Sequence, residues 1–182
     1  MSIKRKIDID SLPHYTVEDW KEWEGEWELI DGIPHAMAPM PTVRHQVISG
    51  NTYRHFANLL DNCGDCSVYL PINLRVDDFT VLHPDLSIAC GQSEDSVFFD
   101  AIPTMVMEIL SPSTAFKDRN SKPKAYAKLG IAWYLILDPI EEYVEIWKLK
   151  GDSYLFLGRF HSENFEFDLG KCNVTAHFSK LW

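Results

Sequence analysis

The chain lacks several features that would place it quickly. No apolar run approaches the roughly 18–20 residues of a membrane span, so a membrane-embedded chain is not expected. The start, MSIKRKIDID, has no apolar stretch after its charges, which argues against a secretory signal and for a cytoplasmic protein. Excess positive charge is missing too: the net charge is −10 over 182 residues. That excludes a protein that coats nucleic acid by bulk electrostatics, though not an enzyme whose acids are neutralised by metal and whose basic contacts are local. Cysteine is sparse, at four residues, and Cys63 and Cys66 form one CxxC with no second pair at similar spacing. A structural zinc site needs that second pair, and a redox motif wants its first cysteine at a helix start, whereas this pair follows a helix. Reduced cysteines in a turn are the expectation. Repeats, low-complexity segments and linkers are likewise absent, and the length points to one domain over 1–182 with a loose arm at 1–14.

What is present is a rich apolar complement: hydrophobic residues make up 46% and aromatics 13%. The stretch from Leu82 to Ser113 organises it. Two short apolar segments, LHPDLSIAC and TMVMEILSPS, read as strands buried on both faces. Each carries one acid, Asp85 and Glu108. A lone carboxylate there is costly unless backbone donors, an arginine or a metal satisfies it. Two such acids, 23 residues apart, can meet on neighbouring strands, and the pair points to a metal site.

Around these segments the pattern alternates. Thr16 with Asp19 predicts a capped helix over 17–24. Asp31-Gly32, flanked by apolar residues, predicts a tight hairpin with Glu28 just before it. Val43, Val47, Tyr53, Phe56, Leu59 and Leu60 recur near helical spacing, predicting a helix from Thr42 to about Asn62 that carries His45 and His55. Strands are expected at 66–70, 72–76, 80–90, 105–110 and 131–137, and two alternating strands at 143–150 and 153–160 turn at Gly151-Asp152. Between the second and third core strands, Ser121, Pro123 and Gly130 frame a helix. The sum is a mixed α/β (α+β) chain around one central sheet flanked by helices.

The stretch 117–128 is unusual in so acidic a chain: Lys117, Arg119, Lys122, Lys124 and Lys128 stand against one acid, Asp118. Bases at a helix start do not help its dipole. Phosphate binding is one reason for them, and a solvated face is the other.

Together, PD in HPDLSI, the Glu of MEILSPST, the run DRNSKPKAYAKLGIAWYLILDP and ELIDG at 28–32 resemble the PD-(D/E)XK nuclease superfamily. More narrowly they resemble a bacterial restriction-endonuclease family formerly treated as a domain of unknown function. The resemblance covers roughly residues 15–150. It implies a restriction-endonuclease-like core with Asp85 and Glu108 as metal ligands and Glu28 as a further acid of the site. The lysine of the plain motif falls at Leu110, so the resemblance assigns the catalytic lysine to Lys122 on the following helix, with Lys124 as the alternative. It further implies Mg²⁺ (or Mn²⁺) as cofactor and DNA as substrate. A homodimer would supply two active sites, and Tyr143, Trp147, Tyr154 and Phe156 offer surface for it unless they simply cover the core. Two other classes are an idle nuclease fold serving as a binding module and a metal-free hydrolase that uses the carboxylates as an acid/base pair.

Overall fold

The computed structural model describes residues 13–37 and 40–182, so residues 1–12 of the expected arm lie outside the described residues. Of its end, His14 packs on the Phe79 ring, with centroids 4.7 Å apart. Helix α1 (Val17–Lys21) starts at Thr16, and the reciprocal Thr16–Asp19 capping box forms as the sequence predicts. Strands β1 (Trp27–Ile30) and β2 (Ile33–Ala36) follow, joined at Asp31-Gly32 with both residues at positive φ, 49° and 75°. These angles match the right-handed strand twist that favours such two-residue turns.

Helix α2 (Val43–Leu60) begins at Thr42, whose hydroxyl accepts from the His45 amide at 3.2 Å. Its buried face is Ile48, Thr52, Phe56 and Leu60. The expected face began with Val43 and Val47, but these are 79% and 46% exposed. The sheet covers only the later turns of the helix.

The expected strand over 80–90 is broken at His83-Pro84, because proline cannot continue the ladder. Its first part, β5 (Thr80–Leu82), joins a four-stranded sheet in the order β2-β1-β5-β4, with β4 at Leu74–Asp77. Its second part, β6 (Leu86–Cys90), belongs to a six-stranded sheet with β3 (Cys66–Tyr69), β7 (Met105–Ile109), β8 (Trp133–Asp138), β9 (Tyr143–Lys150) and β10 (Ser153–Phe160). That sheet runs β10-β9-β8-β7-β6-β3, and only β7 and β8 are parallel. The chain is therefore a mixed α+β fold, with a mixed sheet at its centre and a smaller second sheet beside it. Two helices make the β7–β8 crossover: α3 (Ala115–Asn120), which the sequence reading missed, and α4 (Lys122–Leu129), which it framed. The tail forms a hairpin of β11 (Asn164–Asp168) and β12 (Asn173–His177).

Side chains alternate across β7. Met105, Met107 and Ile109 pack under α2 and the tail hairpin, whereas Val106 shares the opposite core with Tyr126 of α4, Tyr134 and Ile136. Glu108 is in phase with Val106, so it points towards α4.

One expectation is corrected, and one open alternative is narrowed. The cysteines are paired rather than free: Cys63 bonds Cys172, and Cys66 bonds its cross-strand partner Cys90. The CxxC is a coincidence of two separate links, one tying the end of α2 to the tail and one tying β3 to β6. Of the four aromatics offered for a dimer, Tyr143 is buried, while Trp147 and Tyr154 pack against the α4-side core. Only Phe156 is exposed, at 44%, between Leu155 and Leu157 on the edge strand β10. No helix among the described residues is long and apolar enough to cross a membrane.

Candidate active site

The strand pairing brings the two sequence-singled acids together. β6 and β7 are antiparallel with Leu86 opposite Met107, and one further step of that register sets Asp85 opposite Glu108. Asp85 follows the Pro84 break, so its carboxylate is held by the neighbouring strand: Oδ2 accepts the Ile109 amide at 2.8 Å. The same oxygen lies 3.3 Å from Nε2 of His45, in the first turn of α2. That hydrogen bond raises the imidazole pKa against the opposing effect of burial.

Lys122 is the centre of the site. Its side chain is 3% exposed, and its ammonium lies 2.9 Å from both Glu28 Oε1 and Glu108 Oε1 and 3.3 Å from Asp118 Oδ1. Glu28 arrives from β1, Glu108 from β7, and Asp118 from α3 one turn before Lys122. Three carboxylates so buried need compensating charge, and the lysine is placed to supply it. The ammonium turns inward, onto these three acids. Asp118 was not among the predicted residues. Its signals were its place as the only acid in the basic stretch and its i,i+4 spacing to Lys122.

The three acids around Lys122 differ in how readily they ionise. Burial pushes Glu28 up, but Lys122 and Lys117 outweigh it and hold its pKa at about 2. Lys117 Nζ donates to Glu28 Oε2 at 2.6 Å, and the His83 amide donates to Oε1 at 3.3 Å. Both oxygens of Glu28 are therefore in use. Glu108 is pushed well above the ordinary carboxylate range by burial, which Lys122 offsets only in part, while Asp118, Asp85 and Glu28 add repulsion. Asp118 is raised by burial for the same reason. Lys122 stays charged: its three acids outweigh the burial that would neutralise it. Glu108 is the acid of this group that most readily takes a proton. Tyr126 of α4 donates to Glu108 Oε1 at 2.5 Å.

The basic stretch is neither a solvated face nor a free phosphate cradle. Lys117 and Lys122 serve the cluster, Arg119 pairs with buried Glu145, and Lys128 pairs with Asp77. Lys124 is exposed and forms no ion pair among the described residues.

What remains free defines what the site can hold. Among the described residues, Asp85 Oδ1 and Glu108 Oε2 accept no hydrogen bond, since the contacts of each acid fall on its other oxygen. Two hard oxygen donors side by side fit Mg²⁺, which is usually held by one or two carboxylates with water and substrate phosphate filling the rest. They do not make a protein-only cage: among the described residues no three His, Cys, Asp or Glu side chains group into a metal site.

Comparison with known proteins agrees with this architecture. A crystal structure described as "a putative nuclease belonging to DUF820" from Anabaena variabilis ATCC 29413 superposes with a TM-score of 0.74 at 17% identity, covering 91% of this chain and 96% of that one. A protein of Synechocystis sp. described only as uncharacterized is 34% identical over 125 residues, and the match spans 64% of the length of each chain. The model of the Uma2 family, described as "Putative restriction endonuclease", matches residues 15–165. With most of its length inside that match, the chain belongs to the Uma2 family.

Proposed function

We propose that this protein is a metal-dependent endonuclease that hydrolyses DNA phosphodiester bonds, with Mg²⁺ (or Mn²⁺) held by Asp85 and Glu108. The observation that carries the reading is a pair of oxygens without a partner among the described residues, Asp85 Oδ1 just before β6 and Glu108 Oε2 on β7, beside a buried lysine. Family membership and the nuclease description of the structural neighbour support it. When bound, a divalent cation lowers the pKa of a coordinated water and offsets charge developing on the phosphate.

The chain's own residues do the positioning. The Ile109 amide and His45 fix one Asp85 oxygen and thereby aim the other. Lys122 and Tyr126 do the same for Glu108. Glu28, with both oxygens engaged, is assigned to holding Lys117 and Lys122 rather than to binding an ion directly. The Lys117 side chain is 14% exposed, so it is the cluster lysine with access to a substrate phosphate. Lys124 is left to non-specific backbone contact.

One observation favours a second reading, an idle nuclease fold used for binding. The cluster is already neutralised in large part by its own lysines, and no three-ligand metal site forms among the described residues. Plasmid DNA incubated with Mg²⁺ or Mn²⁺ separates the two, because the endonuclease reading requires metal-dependent nicking that Asp85→Asn abolishes. Metal at about a hundredfold above its Kd should also stabilise the wild type by roughly 2.7 kcal/mol, and Asp85→Asn should lose that shift. A metal response in the melting temperature without cleavage selects the idle fold, and no response in either assay sinks the metal site.

A further inference from the structure

Away from the carboxylate cluster, the segment from Tyr15 to Pro34 builds a second concave site. Tyr15, Trp23, Trp27, Glu22, Glu24 and Pro34 line a cavity of about 420 Å³. The Tyr15 and Trp23 rings meet at 84° with centroids 5.2 Å apart, and the Trp23 and Trp27 rings meet at 71° and 5.9 Å. Rings set near right angles are adjacent walls of an open box, not a stack. The walls are fixed from behind. Tyr15 and Trp23 pack on buried Val17, Leu29 and Val81. Trp27 Nε1 donates to the Glu24 carbonyl at 2.9 Å, and Trp20 Nε1 donates to the Trp27 carbonyl at 2.7 Å.

Among the described residues, the charge around the box has one sign: its carboxylates are Glu22 and Glu24, and no described lysine or arginine lines it. The nearest base on α1, Lys21, is engaged by Glu18 at 2.9 Å. An aromatic face carries negative potential, so a cation in this box is attracted by several rings and by two carboxylates at once. A phosphate or nucleotide would meet the same charges as repulsion. A hydrated metal ion gains little from ring faces, whereas an alkylated ammonium sheds weakly held water and matches their apolar surface. The volume lies within the range of small-molecule sites.

We propose that this box binds a small organic cation of the quaternary ammonium class. The site is separate from the carboxylate cluster: Trp27 and Glu28 are consecutive on β1 and so project to opposite faces of that strand. It therefore stands whether or not the nuclease reading does.

The test is a ligand-observed NMR titration of the full chain with choline at constant ionic strength, beside its uncharged carbon isostere 3,3-dimethyl-1-butanol. Choline should saturate with a Kd of about 1 mM, and the isostere should bind at least about tenfold more weakly. Trp27→Leu, whose ring is not part of the core behind the box, should abolish saturable binding with the melting temperature kept. Glu22→Gln with Glu24→Gln should weaken choline severalfold and leave the isostere unchanged. The proposal is overturned if choline shows no saturable binding, if the isostere matches it, or if Trp27→Leu titrates like the wild type.

Discussion

Lys122 shows how far a single residue can be read. Its helix followed from Ser121 and Gly130 and its place in the site from the family resemblance, and the structure brings it to 2.9 Å from Glu108. Its inward aim did not follow, because that depends on Asp118, an acid flanked by lysine and arginine that reads as solvated until α3 folds it under the sheet. With Lys122 removed, three acids that are each 2% exposed or less lose their shared counter-charge. Lys122→Ala should therefore cost about 3–5 kcal/mol, measured as a fall in denaturation free energy. A loss under 1 kcal/mol would mean that Lys117 alone neutralises the cluster. The acids answer pH in opposite directions. Glu28 has a folded pKa of about 2 against an ordinary 4.5, so its contribution is present above pH 4.5 and is lost as the pH falls from there towards 2. Glu108 is raised, so its favourable contribution is present below its ordinary pKa and is lost as the pH rises through the folded value. Glu108→Gln should thus gain stability over the wild type at pH 8 and show no gain at pH 4, in metal-free thermal melts. The opposite trend would show that Lys122 holds Glu108 fully ionised.

Among the elements, those carrying strong local signals matched the sequence. The Thr16 capping box, the Asp31-Gly32 and Gly151-Asp152 turns, and strands β9 and β10 stand where propensity and alternation put them. Helix α3 was missed because Phe116, Lys117, Arg119 and Asn120 show no apolar period; its one buried residue is a charged one, Asp118. The phase of α2 was misread because its first turn lies beyond the sheet, where Val43 has nothing to pack on. The hairpin carrying Glu28 is the element most open to a simple test. At Gly32, φ is +75° and an added Cβ would meet the His14 ring at 2.4 Å. Gly32→Ala should cost about 1–3 kcal/mol from backbone strain, and more where the clash is not relieved. In a His14→Ala background the clash term should vanish and the strain remain. If the two backgrounds lose equally, His14 does not close over the turn.

At the level of the whole molecule, the net charge is −10, and four of the five bases at 117–128 are engaged by acids of the fold, two of them in the buried cluster and Lys128 at the surface. A central sheet that ends at β10 offers an unpaired edge, and Leu155, Phe156 and Leu157 there are 50%, 44% and 38% exposed. We propose this edge, of which Phe156 alone was among the aromatics offered by the sequence, as the surface for a second copy, which a nuclease cutting both strands of a duplex would use. Sedimentation at micromolar concentration should show a dimer that Phe156→Glu splits into monomers. A wild type that sediments as a monomer removes the proposal. None of this was legible from composition, because edge and centre differ only in which strand lies alongside.

The link between Cys63 and Cys172 spans 109 residues, and it sorts the site by mechanics. Asp85, Glu108, Asp118 and Lys122 lie inside the closed ring, while Glu28 and His45 lie on the strand of chain that leads to it. A force applied at the two termini would pass through the bond and leave the ring slack. The oxidised chain would then extend about 390 Å less than the reduced one at ~3.6 Å per residue. Tension would reach Glu28 and His45 directly, while the other four lie on chain that the bond shields.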